Sequence, residues 1–160
     1  MPDVDVDRLL WIVTGVQLNA ELGDRPLAYR VEQELRARLL DALPPTAPGE
    51  LPALVPAVIS DVYYLNSDDD DVQSRPAISI GGPGVNALSA AWTKELQTIV
   101  AIENTLVVQM DLEMSDPRCA VWGMNHLDTV QAVELFIGKG YLDIFLDGVI
   151  AKLKEEDEGD

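Results

Sequence analysis

The run Leu9-Leu10-Trp11-Ile12-Val13-Thr14-Gly15-Val16 is apolar at odd and even positions alike and rich in β-branched side chains. A strand with one wet face alternates apolar and polar residues, whereas a strand covered on both faces does not. Residues 9–16 therefore predict a buried strand with helices above and below. Leu27, Val31, Leu35 and Leu39 then recur at i+4 and predict one apolar stripe of a helix. Pro26 suits the first turn of that helix and Asp24 is its candidate N-cap. The helix stops before Pro44-Pro45, and 44–49 reads as a loop.

Further on, 55–65 contains a second predicted strand, centred on 57–64, followed by a polar run over 66–75. Residues 77–80 form a third, short strand that enters a glycine-rich turn and then a helix through about residue 96. Residues 105–110 and 119–122 read as the fourth and fifth strands. A third helix spans 127 to about 137, capped by Asn125 or Asp128, with Val130, Val133 and Phe136 inward and Gly138 and Gly140 ending it. Residues 141–153 complete the series as an amphipathic helix with Leu142, Phe145 and Val149 as its stripe. This order, β-α-β-β-α-β-β-α-α, predicts an α/β fold with a largely parallel or mixed central sheet of about five strands and helices on both faces. Residues 1–153 read as a single domain and 154–160 as an acidic tail.

Composition narrows the function. A chain of 160 residues with 48% hydrophobic positions suits one globular core. A net charge of −17 repels phosphate backbones and anionic bilayers, so neither nucleic acid nor a membrane is an expected partner. No apolar run is long enough for a membrane span. The acidic opening Met1-Pro2-Asp3-Val4-Asp5 is unlike a secretory signal, and the single Cys119 fits a reducing compartment. The expected location is the cytoplasm of a bacterial cell. The basic residues Arg25, Arg30, Arg36 and Arg38 fall together in the first helix.

The segment with chemical content is Ile80-Gly81-Gly82-Pro83-Gly84-Val85-Asn86, where a strand passes through a glycine turn into a helix. Such a turn sets several N–H groups at the carboxyl edge of a sheet, beside the positive end of a helix dipole, and suits a carboxylate or phosphate. It is not a dinucleotide fingerprint, and it has neither the lysine nor the hydroxyl of a P-loop. The bland alternative is a purely structural turn with Asn86 as helix cap. A second turn, Val121-Trp122-Gly123-Met124-Asn125-His126, has the same strand-to-helix form. Lying side by side, the two would bring Gly81, Gly82, Gly84, Asn86, Gly123, Asn125 and His126 to one small-ligand site.

Gly81-Gly82-Pro83 with Asn86, then Gly123, Asp128-Thr129 and Ala132-Val133, resembles α/β modules of archaeal S-layer and related cell-surface proteins. The resemblance covers about residues 78–137. It implies the α/β fold and no particular ligand or activity.

Other candidates are weaker. His126 is the only histidine and has the chemistry of a general base. Cys119 reads as a buried apolar residue, not a nucleophile. Asp68, Asp69, Asp70 and Asp71 lack the glycine and terminal glutamate of a calcium loop, so a solvated loop is expected and no metal. Asp61, Asp111 and Glu113 lie near strand ends with no paired carboxylate evident. Trp11, Trp92 and Trp122 read as packing residues. No catalytic set and no cofactor motif emerges.

The scarcity of polar catalytic residues favours a non-enzymatic interaction or regulatory module, working through a protein partner or as a homo-oligomer. The helix over 141–153 is the expected surface for that contact. Two other readings compete with it. One is a binding domain for a small anionic ligand at the glycine turns, and the other a hydrolase or transferase using His126.

Overall fold

Six strands make one mixed sheet in the order β2-β1-β3-β6-β5-β4. They are β1 (Leu9–Thr14), β2 (Val55–Ser60), β3 (Ala77–Ile80), β4 (Gln97–Ile102), β5 (Leu106–Met110) and β6 (Arg118–Gly123). The computed structural model describes residues 8–44, 47–49, 53–67, 70–103, 105–111, 113 and 117–158. The strands β2, β1, β3 and β6 run parallel, while β5 is antiparallel to both β6 and β4.

Every residue of β1 is buried, because helices cover both of its faces as the unbroken apolar run predicts. On one face lie α1 (Arg25–Ala42), α5 (His126–Gly138) and α6 (Tyr141–Glu158). Their Val31, Leu35, Val133, Phe136, Leu142 and Phe145 pack with Leu10, Ile12, Ile78 and Val121 of the sheet into the larger core. On the other face lie the short helices α2 (Asp61–Asn66), α3 (Asp70–Gln73) and α4 (Ala87–Trp92). There Tyr64, Leu88 and Trp92 pack on Trp11, Val13 and Ala120. Trp11 donates its Nε1 hydrogen to the carbonyl of Val72 at 2.9 Å, and the Tyr64 and Trp92 rings meet edge to face. The tryptophans at 11 and 92 are packing residues.

Several boundaries differ from expectation, each for a physical reason. The sheet has six strands, not five, because Gln97–Ile102 pairs with β5 as an edge strand. Its burial is slight, so its sequence carries little apolar signal. The preceding helix accordingly ends at Trp92. The second strand ends at Ser60, whose hydroxyl accepts from the Tyr63 amide and caps α2, so Asp61 opens a helix instead of lying in a strand. Within the polar run, Asp70 and Asp71 open α3; Asp68 and Asp69 lie outside the described residues.

Asp24 is not the cap of α1. The chain is already helical upstream, in a π-helical segment Ala20–Asp24, and the Asp24 side chain makes no capping bond. The final helix extends to Glu158, so the acidic stretch up to that point is helical. Its stripe is no free contact surface, since Leu142, Phe145, Leu146, Val149 and Ile150 are buried in the core. The four clustered arginines pair with acidic neighbours, Arg25 with Glu21, Arg30 with Glu134, Arg36 with Glu32, and Arg38 with Glu34 and Asp143. Exposed pairs of this kind add little stability.

Among the described residues, no helix is long and apolar enough to cross a membrane. Leu35 is fully buried at the centre of the α1 stripe. Leu35→Ala should cost about 2–5 kcal/mol in urea denaturation, because the packed helices around it cannot collapse fully into the void. A change below about 1 kcal/mol would contradict that burial.

Candidate functional site

The order β2-β1-β3 makes the chain turn opposite ways after β1 and β3, the first into α1 on one face and the second into α4 on the other. In open α/β sheets a crevice forms at such a divergence, beyond the carboxyl ends of the strands. Here it is a cavity of about 880 Å³, walled by the segments after β1, β3 and β6.

The β3 turn is held by its buried polar atoms. Gly81, at φ +110°, takes a conformation that favours glycine, and its amide donates to the Val121 carbonyl at 3.1 Å. The Val85 and Asn86 amides both donate back to the Gly82 carbonyl. Asn86 is wholly buried, and its Nδ2 donates to the carbonyls of Val13 at 3.1 Å and Ile80 at 2.9 Å. Its Oδ1 accepts from the amides of Leu88 and Ser89, capping α4. Every polar atom of that side chain is occupied, so Asn86 shapes the turn and does not face the cavity. Gly81 is likewise outside the lining.

Gly82 and Gly84 do line the cavity, with Pro83 and Val85. Among the described residues, the Gly82 and Gly84 amides have no acceptor. Across from them the β6 turn contributes Trp122, Gly123, Met124, Asn125 and His126. The Gly123 amide donates to Thr129 Oγ1 at 3.0 Å, and Asn125 Oδ1 accepts from the Asp128 amide, so Asn125 and not Asp128 caps α5. Gly123 also permits a close approach: a Cβ there would come within 2.3 Å of Asp128. The two glycine turns therefore do lie side by side, and of the seven residues singled out by sequence, Gly82, Gly84, Gly123, Asn125 and His126 share the cavity wall.

The third wall was not foreseen. The π-helical segment brings Asn19, Leu22, Gly23 and Asp24 to the cavity. Gly23 lies against the His126 ring, so close that a Cβ would come 2.7 Å from Nδ1. Asp24 is only 5% exposed, and its Oδ1 is 3.7 Å from His126 Nδ1, an ion-pair distance longer than a hydrogen bond. Its Oδ2 packs over Gly81, where a Cβ would come within 2.6 Å. Burial pushes the Asp24 carboxyl above its ordinary value, and His126 draws it partly back. His126 itself is half-exposed. Trp122 is half-buried in the lining, with its Nε1 enclosed and unpartnered.

The remaining candidates lie elsewhere. Cys119 is buried in the large core, where desolvation holds the thiol protonated, so it is no nucleophile. Asp61 spends its carboxylate on the amides of Val62 and Ala87. Asp111 accepts from the Glu113 amide in the turn after β5. Among the described residues, no three His, Cys, Asp or Glu side chains gather as a metal site. The chain matches no family model, and no curated protein matches it significantly.

Two expectations follow. Asn86→Ala removes a cap and two buried hydrogen bonds to the Val13 and Ile80 carbonyls, so it should cost roughly 2–4 kcal/mol in chemical denaturation. A cost of a few tenths would show that water replaces the amide. For Asp24, a carboxyl raised by folding stabilises the fold fully below its unfolded value and loses that contribution as pH rises through the folded one. Asp24→Asn, with no charge to bury, should therefore gain stability relative to the wild type between pH 4 and pH 7. A difference independent of pH would refute this.

Proposed function

We propose that this chain is a binding domain for a small molecule that carries one carboxylate or similar anionic group on an apolar body. The observation that carries the reading is the convergence of the two glycine turns on one cavity, with the Gly82 and Gly84 amides lacking an acceptor among the described residues. Free amides beside a helix N-terminus favour an anionic oxygen. His126 adds a polar group on the facing wall. The rest of the lining, Leu22, Pro83, Val85, Trp122 and Met124, is apolar and suits a hydrocarbon or ring.

A second reading, an interaction or regulatory module working through a protein partner, is favoured by the rim. Leu18, Leu22 and Leu127 are each 71% exposed, and Met124 is 68% exposed. Side chains of this size left in water beside a cavity mark a contact surface. A partner or a second copy covering them would close the mouth. Sedimentation velocity of the wild type and of Leu127→Lys tests this: association lost in the variant supports it, and a monomer throughout opposes it.

The ligand reading is tested by thermal shift and calorimetry with octanoate, benzoate and inorganic phosphate. A ligand at 100 times its Kd should add about 2.7 kcal/mol. Gly84→Ala is the informative variant, because a Cβ there meets nothing within 4 Å and the fold should tolerate it. The added methyl stands beside the open amides, so this variant should keep the wild-type melting temperature and lose at least about tenfold in affinity, near 1.4 kcal/mol. Unchanged binding in Gly84→Ala, or no shift with any of the three compounds, would sink the reading.

A further inference from the structure

We infer that the cavity is a hydrolytic site for esters of small carboxylic acids, with His126 as general base and Asp24 as the residue that positions its ring. The inference rests on the ligand reading above, since the acid released is the class of molecule proposed to bind. It starts from Asp24. The side chain is buried, and among the described residues its carboxyl meets no lysine or arginine and accepts no side-chain hydrogen bond. A buried carboxyl without a close partner is costly, and among the described residues the ionisable group facing it is the His126 ring at 3.7 Å.

That placement has a chemical consequence. A carboxylate beside Nδ1 favours the tautomer with the proton on Nδ1 and leaves Nε2 as an acceptor. Gly23 backs the Nδ1 side of the ring, so the half-exposed remainder is the side open to a substrate. The Gly82 and Gly84 amides on the neighbouring turn are the available donors for a developing oxyanion.

The lining also selects the reaction. Phosphoryl transfer concentrates negative charge that cationic side chains usually meet, and among the described residues no Lys or Arg lines the cavity. Glycoside hydrolysis ordinarily uses two carboxyl groups, and among the described residues Asp24 alone supplies one to the lining. An uncharged ester with an apolar acyl chain needs one base, one pair of oxyanion donors and apolar walls.

In the reaction, water gives a proton to His126 Nε2 as its oxygen bonds to the acyl carbon, and the carbonyl electron pair moves onto oxygen as the oxyanion. When that intermediate collapses, the bond from the acyl carbon to the alcohol oxygen breaks. The departing oxygen takes the proton back from the imidazolium. One ester and one water give one carboxylic acid and one alcohol, and no oxidant or reductant is consumed.

The test follows p-nitrophenyl acetate and p-nitrophenyl octanoate hydrolysis by wild type, His126→Asn and Asp24→Asn purified identically, with octanoate thermal shifts measured on all three. Turnover by the wild type is expected, with at least about a hundredfold loss of kcat in His126→Asn. Asp24→Asn should lower kcat by at least tenfold with KM little changed, a split that mere loosening of the wall would not produce. No wild-type turnover, or turnover retained in His126→Asn, overturns the proposal. An octanoate shift that persists in that case leaves the binding reading standing, and its absence in the wild type removes both. Kinetics of Asp24→Asn equal to wild type, or a change in KM alone, overturns the positioning role. Should Asp24→Asn fail to fold, His126→Asn still decides, because its side chain is half-exposed.

Discussion

One buried amide side chain holds the carboxyl edge of this sheet together. Parallel strands end in carbonyls that no ladder satisfies, and at the centre of a covered sheet those carbonyls are out of reach of water. Asn86 donates to carbonyls near the ends of two neighbouring strands, Val13 of β1 and Ile80 of β3, and accepts from the Leu88 and Ser89 amides of α4. Its four bonds join β1, β3 and a helix on the opposite face through a single residue. With Asn86 capping the helix and the Gly82 carbonyl taking the Val85 and Asn86 amides, the amides of Gly82 and Gly84 have no acceptor among the described residues. The open amides of the cavity are thus a consequence of how the turn is fastened.

Two aspartates of equal burial show how differently the fold treats negative charge. Asp61 and Asp24 are each 5% exposed. Asp61 sits at the start of α2 and receives the amides of Val62 at 2.7 Å and Ala87 at 2.8 Å, so its charge is met by fixed dipoles. Asp24 sits at the end of a π-helical segment, inside a continuous helical run, where the amides are spent on helical carbonyls. What remains for it is an imidazole across the cavity. A carboxyl placed to stabilise a fold gathers amides, as Asp61 does. Asp24, in a cavity wall, faces an imidazole where Asp61 has amides.

Much of the layout was legible in the sequence because it depends on local pattern. The doubly buried β1, the α1 stripe through Leu35, and both strand-turn-helix units follow from periodicity and glycine placement. That the turns bearing Gly82 and Gly84 and bearing Gly123, Asn125 and His126 meet was legible only as a condition, since it depends on β3 pairing with β6. What escaped was either weakly apolar or non-local. Strand β4 exposes Gln97, Thr98 and Ala101, so nothing in its pattern requires a sheet. Asp24 before Arg25-Pro26 reads as a helix start by every capping rule, and Gly23 beside it reads as a break. The chain passes through both in a π turn, and the glycine there lies against the ring of His126, about a hundred residues away. No local signal in the first half of the chain points to that histidine.

The whole-molecule charge bears on the site as well. At −17 the surface field opposes the approach of any anion, and the amides inside the cavity act only over short range. A carboxylate ligand therefore binds against the long-range field and dissociates with it. A neutral ester feels little of that field on arrival, and a lasting negative charge arises only when the released acid ionises. For a hydrolytic site this asymmetry assists turnover, since the acid formed is repelled outward while the next uncharged molecule is not. A domain selected only to retain an anion would gain from basic side chains at the mouth of its cavity. Here the described mouth carries Leu22, Met124 and the single His126, and Arg25, Arg30, Arg36 and Arg38 lie along α1, in ion pairs with acidic neighbours.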